Sequence, residues 1–293
     1  MITWQWIHEE QSISVKSLQQ KQDALTDILR KFDSLMIAFS GGVDSTFLLS
    51  VAGEVLKEKV TAVTSLSIVH PKKEFENARR IAETLGVNWI AVDTDEMRLP
   101  EFKANQPDRC YVCKRNLFQV LQEKALEMGI QAICHGANVD DLDDIRPGFA
   151  AATEYGIHAP LIDAGLTKAD IRQLSRDRGL STWDKPAMAC LATRIPFGTT
   201  IKKDMLRMIE SAEQILHAAG FTGSRVRHHG KIARIEIPKT EFGRLIQPEI
   251  LSGIVPAIQK IGFPYVALDL EGYRQGSMNQ PTETGPPASG LTG

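Results

Sequence analysis

Leu35-Met36-Ile37-Ala38-Phe39-Ser40-Gly41-Gly42-Val43-Asp44-Ser45 decides the fold: an apolar run that reads as a strand meets a glycine turn and passes straight into a helical pattern. Two adjacent glycines permit a tight turn with converging N–H groups, and a helix beginning near Asp44 adds the positive end of its dipole at the same point. Such a junction is built to hold phosphate. Ser40 and Ser45 carry hydroxyls able to donate to phosphate oxygens, whereas Asp44 suits either the orientation of the loop or a magnesium ion. The Gly-Lys-Ser/Thr ending of a Walker A loop is missing, so no lysine inside the loop reaches the outer phosphates. An ordinary glycine-rich turn is the bland alternative; the strand and helix on its flanks favour ATP chemistry.

Working outward, apolar runs recur at 35–39, 60–65, 87–92 and 130–134 with helical segments between them. That alternation predicts a doubly wound parallel α/β sheet covered by helices on both faces. A segment over 13–32, with Val15, Leu18, Leu25, Ile28 and Leu29 at helical spacing, leads into it. In such sheets a ligand sits beyond the carboxyl ends of the strands, where the glycine turn, the Ser65 region and the Gly136 to Asp144 loop all emerge. After a polar helix over Lys168 to Arg178, the stretch Leu180 to Thr200 is rich in turn residues and reads as a functional loop or crossover. A helix over 202–219, two short strands (Ser224 to His229 and Lys231 to Ile237) joined at Gly230, a helix near 248–260 and a strand near 264–270 predict a small α+β domain. The expected division is a nucleotide domain over 1–199, a second domain over 200–272, and a disordered Gly/Pro/Ser/Thr-rich tail over 273–293.

With 293 residues, 43% of them hydrophobic, the chain is long enough for two compact units. A net charge of −2 lacks the basic footprint of a protein that grips long nucleic acids, so no nucleic-acid partner is expected. There is no apolar run of about 18 residues, and the start of the chain, with Trp4, Trp6, Glu9 and Glu10, does not resemble a signal peptide. A cytoplasmic protein without a membrane partner is the expectation, and its four cysteines read as thiols, metal ligands or reaction centres rather than a disulfide framework.

Cys110-Tyr111-Val112-Cys113 places two thiols three residues apart at the start of a helical pattern, which lets both point at one metal or cluster; a redox pair or half a zinc site has the same spacing. Cys190 lies between Lys185 and Arg194, and nearby cations favour a nucleophilic thiolate, the bland alternative being a buried loop cysteine. In the hairpin, Arg225 and Arg227 share one face, suited to phosphate or carboxylate groups of a small ligand, although the intermixed Glu236 also fits a solvated face of ion pairs. Glu210 and Glu213 on the preceding helix are candidate acids, one of them expected to be exposed. Gly136 and Asn138 fit nucleotide recognition; Asp140, Asp141, Asp143 and Asp144 suit magnesium or a plain acidic loop, and Arg146 offers a cation at the same mouth.

The glycine turn resembles the PP-loop of the ATP pyrophosphatases. Together with Arg109 to Lys114, Gly136 to Gly148, Lys185-Pro186, Ala189 to Arg194, Arg225-Val226-Arg227 and Ala233 to Glu236, the likeness over about 30–272 is to the LarE family of ATP-dependent sulfur transferases. The resemblance implies that ATP adenylates a carboxylate of pyridinium-3,5-biscarboxylic acid mononucleotide and that a sulfur nucleophile displaces AMP. It implies Mg2+, a nucleotide site that includes Ser65 and Arg194, a substrate held by Arg225 and Arg227, and a homo-oligomer. Three cysteines, Cys110, Cys113 and Cys190, match the members that resemble [4Fe-4S] carriers of an extra sulfide; in single-cysteine members the residue at Cys190 gives up its own sulfur.

Overall fold

The computed structural model describes residues 16–142 and 147–274. Asp143, Asp144, Arg146, Val15 and the tail from Gln275 therefore lie outside the described residues. Strands β1 (Leu35–Ala38), β2 (Val60–Leu66), β3 (Asn88–Asp93) and β4 (Ala132–His135) form one parallel sheet in the order β3-β2-β1-β4. The winding starts at β1, runs outward to β3, and then returns to the opposite side of β1 at β4. The carboxyl ends of β1 and β4 therefore flank a switch point, the place where a parallel sheet leaves a crevice for a ligand.

The side-chain period of two along β1 divides the core. Leu35 and Ile37 join α1 (Leu18–Leu29), α2 (Val43–Leu56), α3 (Lys72–Thr84) and, later in the chain, the helix over Lys168–Asp177 on one face. Met36 faces the other layer, with Phe118 and Leu121 of α4 (Arg109–Met128) and Ala151 and Ala152 of α5 (Pro147–Glu154). The helix Lys168–Asp177, α6, has a Thr167 capping box with Asp170, which explains its sharp start. α2 is buried almost all round from Val43 to Ala52, as expected of a helix that leaves a ligand loop and runs under its neighbours.

The carboxyl-terminal part contains α7 (Lys203–Ala218), the antiparallel pair β5 (Arg225–His229) and β6 (Ile232–Glu236), α8 (Pro248–Ile261) and β7 (Tyr265–Leu268), which runs parallel to β6. Val226, Ala233, Ile235, Phe221 and Phe263 form its core. α7 belongs to two cores at once. Leu206 and Ile209 pack with Val69, Phe102, Val112 and Leu191, whereas Ala212 and Leu216 pack under the small sheet. The Leu180 to Thr200 stretch is irregular apart from one short turn, Leu191–Arg194, as its turn residues predict. Among the described residues, no helix is long and apolar enough to cross a membrane.

Candidate active site

At the carboxyl end of β1 the chain turns through Gly41, whose φ of +67° is open to glycine at little cost and strained for other residues. A side chain there would also lie 3.1 Å from the Ala78 backbone of α3. Within the loop the Ser40 and Ser45 hydroxyls lie 3.1 Å apart, Ser45 donates to the Gly42 carbonyl, and Gly42 N–H donates to Ser40 Oγ. Both serines stand over the amino end of α2, whose first N–H groups have no partner inside the helix. Gly136, just past β4, closes the crevice from the other side: a Cβ on it would stand 2.8 Å from Ser45 N and 2.9 Å from Ser45 Cα. Only a residue without a side chain lets the two loops meet.

Asn138 is buried and orders its own turn, accepting from Asp140 N–H while its N–H donates to Asp141. Asp44 receives the Lys168 ammonium at 2.5 Å on Oδ2, but among the described residues its buried Oδ1 has no hydrogen-bond partner. Burial raises the Asp44 carboxyl above its ordinary range; Lys168 opposes this and the Asp141 charge adds to it. An orphaned carboxylate oxygen near a second carboxylate has the donor chemistry, supplied by Asp44 and Asp141, to hold a magnesium ion. Ser65, at the end of β2, shares a 2.6 Å hydrogen bond with Thr94, which in turn donates to Glu96.

Glu96 was not visible as a candidate in the sequence. It is 1% exposed, receives hydrogen bonds from Ser67 and Thr94, and lies 3.8 Å from the Cys113 sulfur. Burial, the Glu96 carboxylate and the Cys190 thiol, in that order, push the Cys113 thiol up, with a smaller push from Cys110. Cys113 thus lies near both Cys190 and Cys110, and Cys113 and Cys190 pack on one apolar cluster. Cys110 is exposed, and Cys134 is buried on β4. Among the described residues, no three His, Cys, Asp or Glu side chains are grouped to hold a single metal ion. Of the three thiols expected to hold an iron–sulfur cluster, Cys113 and Cys190 line the apolar wall, and Cys110 is exposed one helical turn from Cys113; thiols are the donor type such a cluster takes.

The two cations expected to flank the Cys190 thiol are committed elsewhere. Lys185 bonds the Gly41 carbonyl and Glu74. Arg194, also expected at the nucleotide, is 3% exposed and pairs with Glu213 at 2.9 Å. Its remaining donors take the Ala189 and Cys190 carbonyls and Thr193 Oγ1, so it shapes the turn that carries the thiol. Asn105 and Arg109 hold the other end: Asn105, at φ +55°, donates to the Pro196 and Thr199 carbonyls, and Arg109 donates to Asn105 and to the Ala192 carbonyl. Of the two glutamates on α7, Glu213 is the buried one at the Cys190 turn, while Glu210 accepts the Lys72 N–H of α3 at 2.8 Å.

The β5–β6 register sets Arg225 opposite Glu236 and Arg227 opposite Arg234, so all four share one face. Glu236 is fully buried and binds Arg227 at 2.7 Å and Arg234 at 3.1 Å. Arg227 also donates to the Thr193 carbonyl, which links the small sheet to the Cys190 turn. Among the described residues Arg225 pairs with no carboxylate; it donates to the Ser224 carbonyl and covers the Tyr273 ring. Burial and the nearby Arg194 charge lower its pKa, and Glu213 opposes them.

His135, at the end of β4, sits between the Phe118 and Phe149 rings, and burial followed by the Lys114 charge lowers its pKa from 6.5 to about 4. Between those values the unfolded chain binds a proton that the folded one refuses, so this group costs stability as pH falls from 6.5 to about 4. Denaturant melts at a series of pH values should show a steeper acid-side loss for the wild type than for His135→Asn.

A family profile described as NAD synthase matches residues 17–126. The chain is 40% identical over 263 residues to slr1717, an uncharacterised protein of Synechocystis, covering 90% of this chain and 98% of the relative. It is 36% identical over 264 residues to the pyridinium-3,5-bisthiocarboxylic acid mononucleotide synthase of Lactiplantibacillus plantarum, covering 90% and 95% respectively. A tRNA-specific 2-thiouridylase of Herpetosiphon aurantiacus is 28% identical over 196 residues, about half of each chain (52% and 53%).

Proposed function

The chain belongs to the LarE family, with the pyridinium-3,5-bisthiocarboxylic acid mononucleotide synthases, and on that premise we propose that it is an ATP-dependent sulfur transferase making thiocarboxylates on a pyridinium mononucleotide. The observation that supports this most is the set of hydrogen bonds tying three parts together: Lys185 reaches the phosphate loop at the Gly41 carbonyl, Arg194 holds the Cys190 carbonyl, and Arg227 joins the sheet face that carries Arg225 to the same turn through the Thr193 carbonyl.

A carboxylate is a poor electrophile because oxide leaves badly. Attack of a carboxylate oxygen on the α-phosphorus of ATP forms an acyl adenylate, breaks the α–β bridge and sends its electron pair out on pyrophosphate. The loop N–H groups and Ser40 and Ser45 stabilise the departing pyrophosphate, and Asp44 with Asp141 would hold magnesium there. Arg225, without a carboxylate partner, takes the phosphate or second carboxylate of the substrate. Sulfur then attacks the activated carbon, and AMP leaves with the bonding pair. In this reading Cys110, Cys113 and Cys190 would hold a [4Fe-4S] cluster, and that group would supply the sulfur at the sulfide level.

Direct donation by Cys190 is the second reading, supported by a turn that grips this residue by its carbonyl in bonds that do not use the sulfur. Whole-protein mass before and after turnover separates them: unchanged mass with several products per chain is expected, and loss of one sulfur from Cys190 would establish the second. Pyrophosphate release that does not depend on the pyridinium carboxylate would remove both.

A further inference from the structure

We propose that Lys185 is the phosphate-binding lysine of this site, delivered to the loop from a distant part of the chain to take the place of the lysine that a Walker A sequence carries internally. The inference rests on the ATP-dependent reading above and adds a residue to it. The Lys185 ammonium lies 2.9 Å from the Gly41 carbonyl, in the turn of the phosphate loop, and 2.6 Å from Glu74 of α3. Its side chain is 18% exposed, so solvent reaches it only in part and its charge is weakly screened.

An ammonium has three donors, and these two contacts use two of them, leaving one for a phosphate oxygen with neither bond broken. The main chain beneath it is fixed. Arg172 of α6 donates to the Lys185 carbonyl at 2.9 Å and to the Trp183 carbonyl at 2.8 Å, while Lys185 N–H donates to Thr182. A rigid base under a four-carbon stem keeps the charge at the loop and lets the tip follow the phosphates. The neighbouring Lys168 is placed differently: its ammonium is held by Asp44 Oδ2, on the carboxylate assigned to magnesium.

During adenylation the α–β bridge breaks and negative charge grows on the pyrophosphate oxygens. A cation already beside the loop meets that charge without reorganising. Lys185 therefore acts on the outer phosphates, and AMP, which lacks them, gains nothing from it.

Calorimetric titration of ATP, pyrophosphate and AMP into the wild type, Lys185→Ala, Lys185→Arg and Glu74→Gln tests this. Lys185→Ala is expected to weaken ATP and pyrophosphate by about 10-fold to 100-fold, the loss of one charge-assisted hydrogen bond, with AMP affinity unchanged. Glu74→Gln, which removes the anion competing for the same ammonium, is expected to hold or raise ATP affinity. Equal losses for ATP and AMP, or a Glu74→Gln variant that behaves like Lys185→Ala, would make Lys185 a structural anchor and overturn the assignment, as would unchanged ATP binding. A wild-type protein that binds neither ATP nor pyrophosphate would instead defeat the ATP-dependent reading itself.

Discussion

Gly136→Ala should lower ATP-dependent pyrophosphate release by about 100-fold while leaving a folded protein. The added methyl would stand 2.8 Å from Ser45 N and 2.9 Å from Ser45 Cα, and these are main-chain atoms that cannot rotate away. Either the β4 loop or the first turn of α2 must shift. Overpacking of this kind costs about 1–3 kcal/mol, a tolerable loss for a domain of this size. The effect on turnover is larger, because displacement of about 1 Å at a catalytic constellation lowers rate by about 100-fold. Pyrophosphate release together with a thermal melt checks both parts. Near-normal release would mean that the two loops have room to separate without consequence, and that the crevice between β1 and β4 is not where ATP reacts.

Glu213→Ala should be the most destabilising single change in the site. It leaves Arg194, 3% exposed, as a buried cation without its counter-charge, and leaves the Val226 N–H without its acceptor. Removing one partner of a buried pair costs about 3–5 kcal/mol, most of it the penalty of the stranded charge. Glu213→Gln keeps an acceptor for Val226 and for one Arg194 donor and should cost less. Because Arg194 also holds the Cys190 carbonyl, sulfur transfer should fall further than adenylation does. Urea melts of both variants, with pyrophosphate and thiocarboxylate counted separately, test the claim. A fall in both activities by the same factor would show that the pair supports the fold alone.

What the sequence revealed and what it withheld divide along a physical line. Strands β1 to β4 were legible because a parallel sheet covered by helices on both faces leaves near-continuous apolar runs, and the β5–β6 hairpin because its side chains alternate between faces, with Gly230, at φ +65°, marking the turn between the paired strands. The glycine loop was legible because its conformation demands particular residues in succession. The destinations of single polar side chains were not legible. Glu96 sits in a short acidic loop and looks like any surface glutamate; its burial comes from Ser67 on one loop, Thr94 on another and Cys113 on a helix. Lys185 lies five residues from Cys190 in the chain, and that nearness suggested a charge for the thiol, yet its partners are Gly41 and Glu74. Asn105 alone left a trace, as an Asn two places before Pro107 that adopts a left-handed backbone. Long-range pairing of that kind has no period to read.

The framework around Cys190 holds its carbonyl, through Arg194, Thr193 Oγ1 and Thr193 N–H. Nothing in that grip depends on what the side chain is made of. A molecule whose Cys190 had been chemically consumed would keep those main-chain bonds and lose only the packing of one sulfur on the apolar cluster, so it would stay folded. Quality-control machinery that senses unfolded chains would then pass it over, and inactive copies would accumulate beside working ones.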